Sequence, residues 1–243
     1  MHKRYLLAAI VTIAWIAATA GTIGCNKSGT SQSSETANET TDSGNDASST
    51  DKPETPQESD ADRQYRELHP QIVIETNYGN IPVELDRENA PQTVDHFLDY
   101  VARGFYDNTL FHQVFKDYAI IGGLMDVDFQ PKEVSDTVRN EARNGLKNLR
   151  GTISMLRQPE VIDSATTQFF INLKDNPELD YKGWNPDDPN ADPADYGYCV
   201  FGKVIGDGMQ VVDKIAQVPV KDTDDFPAVP QEKVIITKIR IVP

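Results

Sequence analysis

The chain has 243 residues, with 38 acidic against 23 basic side chains and a formal net charge of -15. That balance excludes a nucleic-acid partner, because phosphate binding needs a basic surface. Hydrophobic residues make up 38% of the chain, low for a sequence packed along its whole length, so one sizeable domain with an unpacked remainder is expected.

Residues 1–25 read as a targeting segment. His2, Lys3 and Arg4 give a basic start, and residues 6–20 form an apolar run too short for a comfortable spanning helix. The run ends in Thr22-Ile23-Gly24-Cys25, which resembles the lipobox of bacterial lipoproteins. The resemblance implies acylation of Cys25 and an extracytoplasmic protein, lipid-anchored to a bacterial membrane and facing the periplasm or the cell surface. Several acyl chains would hold it there, since each buried methylene contributes about 0.8 kcal/mol. Thr22 stands where leucine is usual, which leaves a secreted form or a retained apolar anchor as alternatives.

Residues 26–63 are dominated by Ser, Thr, Asp, Glu, Asn and Gly. They lack the apolar surface needed to offset chain entropy, so a disordered tether is expected, with a glycosylated stalk as the rival reading. Such a coil would hold a domain of residues 64–243 roughly 30–40 Å from a bilayer.

Within the domain, residues 72–76 and 80–85 alternate around Asn77-Tyr78-Gly79, a hairpin signal. Asn89 is placed to cap a helix with Pro91 in its first turn and Gln92 reaching back. Val94, Phe97, Leu98 and Val101 form its apolar stripe, and Gly104 is the stop. Residues 111–123 read as two apolar runs broken at Lys116-Asp117 and closed by Gly122-Gly123, which alone suggests a hairpin of an ordinary β-core. Further strands are expected at 151–155, 168–173 and 234–242, with a second helix at 207–217 and a long acidic, Pro-rich loop at 176–196. Cys199 sits in an apolar strand and has no partner if Cys25 is acylated, so it reads as a small buried hydrophobe. No ligand spacing suggests a metal, and no cofactor is expected. Many short strands with two helices imply a mainly β fold, an antiparallel barrel capped at its ends.

Three stretches carry more: Phe111-His112-Gln113 with Gly122-Gly123, Ser164-Ala165-Thr166-Thr167-Gln168-Phe169-Phe170-Ile171-Asn172, and Val200-Phe201-Gly202-Lys203-Val204. In that order, from about residue 72 to 243, the chain resembles the cyclophilin-type peptidyl-prolyl isomerases. The resemblance implies a closed eight-stranded antiparallel barrel with a helix at each end, acting as a monomer on Pro-containing polypeptide segments. Phe170 corresponds to the aromatic on which the family's proline ring packs, though plain core is the other reading. Phe111, Tyr118, Ala119, Ile121, Leu156, Arg157, Gln168, Glu178, Leu179 and Tyr198 correspond to the surrounding substrate groove, with the backbone at Leu156 and Arg157 gripping the peptide; Phe111, like Phe169, also reads as a core support.

The departures fall on the chemistry. Isomerisation needs an apolar seat for the ring and a donor aimed at the amide nitrogen of the twisted bond, whose ground-state resonance sets a barrier of about 18–20 kcal/mol. Gln113 stands where the family carries its catalytic arginine, so it is either a weakened donor or a strand residue without a role. Arg157 is the next candidate donor. Tyr118 replaces phenylalanine; Ala119 is expected to open the pocket wall where methionine would close it, and Ile121 cannot hydrogen-bond as glutamine would. Leu156 replaces a small residue and Glu178 an aromatic. His112 reads as a core histidine rather than a proton shuttle. The expected function is a prolyl isomerase for exported proteins with weakened or altered activity. The alternative is a catalytically weak module that binds Pro-containing segments of an envelope partner.

Overall fold

The computed structural model describes residues 59–242. The targeting segment with Cys25, and the tether as far as residue 58, lie outside the described residues. Residues 59–63 do not continue the tether: helix α1 (Asp60–Leu68) begins four residues before the expected domain start. Ser59 caps it by accepting from the Asp62 amide at 3.1 Å, with Asp60 and Asp62 in the first turn and Arg66 in the last, each favourable to the helix dipole. Composition missed it because α1 buries no residue. It is tied down at its end by Arg87, whose amide donates to the Leu68 carbonyl at 2.8 Å and whose Nη1 donates to the Glu67 carbonyl at 2.7 Å.

Ten strands follow: β1 (Gln71–Thr76), β2 (Gly79–Leu85), β3 (Thr109–Phe115), β4 (Ala119–Asp126), β5 (Thr152–Met155), β6 (Phe169–Asn172), β7 (Val200–Val204), β8 (Val220–Lys221), β9 (Val229–Pro230) and β10 (Ile235–Ile241). Eight of them close an antiparallel barrel in the order β1-β10-β3-β4-β6-β5-β7-β2. Strands β8 and β9 make a separate ribbon. The β1–β2 hairpin shows why the barrel has a dry interior. Ile72, Ile74, Ile81, Val83 and Leu85 alternate along their strands and are all fully buried, as a two-residue period dictates.

Helix α2 (Pro91–Ala102) lays Val94, Phe97, Leu98 and Val101 on the core, with the Phe97 ring 5.0 to 5.7 Å from those of Tyr106, Phe169 and Phe201. Its cap differs from the expectation. Asn89 is engaged with the Asp86 carboxylate, and the first turn is closed instead by Glu141, far along the chain. Glu141 accepts from the Thr93 amide at 2.8 Å and its hydroxyl at 2.7 Å. A carboxylate brought in from another segment does the work of a local cap, which no local pattern announces. Helix α3 (Gly208–Ile215) packs Val212 and Ile215 inward. The loop at 176–196 is folded by an aromatic trio in which Tyr181 and Trp184 both meet Tyr196 edge-on.

Candidate active site

Strands β3 and β4 turn at Lys116-Asp117, with Asp117 at φ 59°. Their register slips so that Phe111 faces Gly122 while Gln113 faces Ile121. The glycine pair makes this approach possible. A Cβ on Gly122 would come 2.8 Å from the Leu110 carbonyl, and one on Gly123 would come 2.8 Å from the Thr167 carbonyl.

The apolar residues of this sheet divide between its two faces. Phe111, Val114, Ile120, Phe169 and Ile171 join the barrel core. Phe115, Tyr118, Ala119, Ile121 and Phe170 form a second cluster with Leu156, Leu179 and Tyr198. Ile121 pairs with Phe170 across the ladder, and the Phe170 and Tyr198 rings meet edge-on at 5.8 Å. Seven residues of the expected groove are thereby brought together: Tyr118, Ala119, Ile121, Leu156, Phe170, Leu179 and Tyr198. Phe111 is the exception. It packs inward on Phe169, 5.8 Å between ring centroids, and belongs to the core. Phe115, at the end of β3, and Ala228 complete the cluster; neither carries a sequence signal that separates it from ordinary core or loop.

The cluster is nearly sealed. Phe170 and Ala119 are each 1% exposed, so alanine in place of methionine has not opened the wall. Leu156, bulkier than the small residue expected there, is itself buried in the same cluster. Behind it a polar network fixes the wall. Asn148 Nδ2 donates to the carbonyls of Leu179 and Tyr198, while its Oδ1 accepts from Ser154 and Asn172. Asn176 donates to Asn172 and to the Tyr118 carbonyl.

Gln113 lies under a strap that includes Phe226, Pro227 and Ala228. It has no exposed surface, and its Nε2 donates to the Pro227 carbonyl at 3.2 Å while its Oε1 has no partner among the described residues. The Val114 amide donates to the Ala228 carbonyl at 2.9 Å, and the Phe226 ring lies edge-on to His112 at 5.7 Å. Gln113 is therefore not a surface strand residue, and its donor is already engaged. Burial holds His112 down at about 4, against a smaller opposing effect of the Leu110 backbone, so the imidazole is neutral near pH 7 and does not shuttle protons.

The side chain of Arg157 is likewise committed. Its guanidinium donates to the carbonyls of Gly197, Gln158, Pro159 and Pro193, at 2.8 to 2.9 Å, and lies over the Tyr198 ring at 5.1 Å. It is a brace between two loops and not a free donor. The main chain of Arg157 is different: its N–H and carbonyl have no hydrogen-bond partner among the described residues. That leaves a short backbone edge beside the cluster, able to pair with an extended peptide. Gln168 is half-buried at the other side of this loop, its carbonyl accepting from the Leu156 amide at 2.9 Å, and Glu178 is half-buried next to Leu179. Burial pushes the Tyr198 phenol up to about 12 and the Cys199 thiol up to about 12, so neither ionises near neutrality.

This buried apolar cluster beside the unpaired Arg157 main chain, on a closed eight-stranded barrel, meets a decisive match. The family model described as "Cyclophilin type peptidyl-prolyl cis-trans isomerase/CLD" matches residues 71–241. The chain belongs to the cyclophilin-type peptidyl-prolyl isomerase family. It is 43% identical over 171 residues to peptidyl-prolyl cis-trans isomerase A of Dickeya dadantii, covering 70% of this chain and 84% of that one. It is 41% identical over 170 residues to peptidyl-prolyl cis-trans isomerase B of Escherichia coli, covering 70% of this chain and 98% of that one. Among solved structures, a cyclophilin type isomerase of Cryptosporidium parvum is similar with a TM-score of 0.57 at 25% identity, covering 72% of this chain and 98% of that one. The same Cryptosporidium protein has been crystallised in the presence of the dipeptide Ala-Pro. The activity of this cyclophilin is that of its family, cis–trans isomerisation of proline-containing segments. It requires no nucleophile and no acid or base, because only rotation about the amide is accelerated.

Proposed function

We propose that this cyclophilin isomerises prolyl bonds in exported polypeptides, that it is held at a bacterial membrane by a lipid on Cys25, and that its turnover is weakened by Gln113. The export and anchoring parts rest on the basic start, short apolar run and Thr22-Ile23-Gly24-Cys25 of the sequence. The observation that carries the weakened turnover is the engagement of Gln113 Nε2 by the Pro227 carbonyl at 3.2 Å. A donor must strengthen its bond in the twisted state to catalyse, and one already bonded to a carbonyl must first exchange partners. A neutral amide is also the weaker donor, since a charged one makes bonds roughly twice as strong.

The same observation supports a second reading, a module that holds a proline segment without turning it over. Its ring seat and its backbone edge at Arg157 would still serve binding. A protease-free isomerisation assay on the full chain, run beside titration of the same peptide, separates the two. Turnover at substoichiometric enzyme supports the isomerase; saturable one-to-one binding without rate enhancement supports the module.

A further inference from the structure

Two polar groups at the rim of the cluster are unused by the chemistry above. Tyr118 is 8% exposed, and its hydroxyl is buried without a hydrogen-bond partner among the described residues. A buried polar atom of this kind is costly unless a ligand completes it. Glu178 is half-buried in the 3-10 turn Pro177–Leu179, whose Leu179 belongs to the cluster, and its carboxylate makes no hydrogen bond or ion pair among the described residues. The backbone segments that carry the two are joined where the β3–β4 turn is fastened to residues 173–176. Asn176 Nδ2 and the Leu173 amide both donate to the Tyr118 carbonyl, at 3.0 and 2.9 Å. Burial raises the Tyr118 phenol well above its ordinary value, and the Glu178 charge adds to it, as a carboxylate near the hydroxyl must. Lys174 places its Nζ 5.7 Å from the Tyr118 ring centroid but forms no ion pair with Glu178 among the described residues.

We infer that Glu178, half-buried at the edge of the cluster that holds Tyr118 and Leu179, is a specificity-determining residue that favours segments carrying a lysine or arginine adjacent to the proline. The inference rests on the groove as the substrate site. An ammonium or guanidinium there donates to the half-buried Glu178 carboxylate, giving it a partner. A glutamate at the same place meets like charge. Because Glu178 is partly solvated, the preference is modest and screened by salt.

The test uses the full chain and three proline peptides that differ only in bearing lysine, glutamine or glutamate next to the proline, on each side in turn. Protease-free isomerisation and binding titration are both measured, at low and high salt. The lysine peptide should exceed the glutamate peptide in kcat/KM, or in affinity, by about fivefold at low salt, with the gap narrowing at high salt. Glu178→Gln should bring that ratio close to one, and Glu178→Lys should invert it. Equal handling of the three peptides by the wild type, or a ratio that Glu178→Gln leaves intact, overturns the inference while leaving the groove in place. Failure of all three to bind or turn over removes the groove and the inference together.

Discussion

Gln113 donates from Nε2 to the carbonyl oxygen of Pro227 at 3.2 Å, fastening the middle of β3 to the segment that leads into β9. Gln113 itself is fully buried, and its Oε1 has no partner among the described residues. Gln113 is thus recruited to hold a strap, where a longer cationic side chain would have to reach past it.

Arg157 should be a stability residue as well as a groove residue. Truncation to alanine removes a donor from the carbonyls of Gly197, Gln158, Pro159 and Pro193, of which Gly197 keeps Asn140 and Gln158 keeps the Val161 amide, and takes the cation from the face of Tyr198. The expected cost is about 3 kcal/mol, or a fall in Tm of roughly 6–12 °C by thermal unfolding. Arg157→Lys should recover little of it, since one ammonium cannot span four carbonyls. An unchanged Tm for Arg157→Ala would show that the brace contributes nothing.

His112 makes stability fall in mild acid. Its folded pKa is lowered from 6.5 to about 4 by burial, so the unfolded chain takes up a proton first as pH falls. Its contribution is present above 6.5 and is lost between 6.5 and about 4, on the order of 3 kcal/mol in all. Urea titrations across that window should show a steeper loss for the wild type than for His112→Gln. Parallel curves would mean that the imidazole is solvated.

Glu141 should behave as the cap of α2. Glu141→Ala removes the acceptor for the Thr93 amide and hydroxyl, and should cost about 1–2 kcal/mol in urea unfolding, with Asn89→Ala much milder. Equal costs for the two would return the cap to Asn89.

Much of the barrel was legible because two-residue alternation and helical spacing are read locally. Ile72, Ile74, Ile81 and Val83 announced the first hairpin, and Val94, Phe97, Leu98 and Val101 announced α2. What escaped is what distant segments bring together. Glu141 capping α2, Pro227 meeting Gln113 and Ala228 completing the cluster all join residues far apart in the chain. Phe111 reads both as a core support and as a groove residue, and the slip in register opposite Gly122, which strand periodicity alone does not locate, settles it in the core. The helix α1 escaped because it buries nothing.

Cys25 is expected to carry the anchor. Cys25→Ser should abolish incorporation of labelled fatty acid and leave the precursor uncleaved. A wild-type chain that takes up no label would instead mean that Thr22 defeats the lipobox.

Replacing Gln113 bears most directly on the central claim, that a ring seat is retained while the donor is weakened. Protease-free kinetics on wild type, Gln113→Arg, Gln113→Ala and Phe170→Ala should separate the two parts. Gln113→Arg should raise kcat about tenfold, equivalent to roughly 1.4 kcal/mol of barrier, with little change in ground-state affinity. The gain is limited because the guanidinium must first displace the strap at Pro227. Phe170→Ala should lower affinity and rate together, since the ring seat serves ground and transition states alike. A wild-type protein that isomerises peptides at a rate untouched by Gln113→Ala, and not raised by Gln113→Arg, would contradict the account.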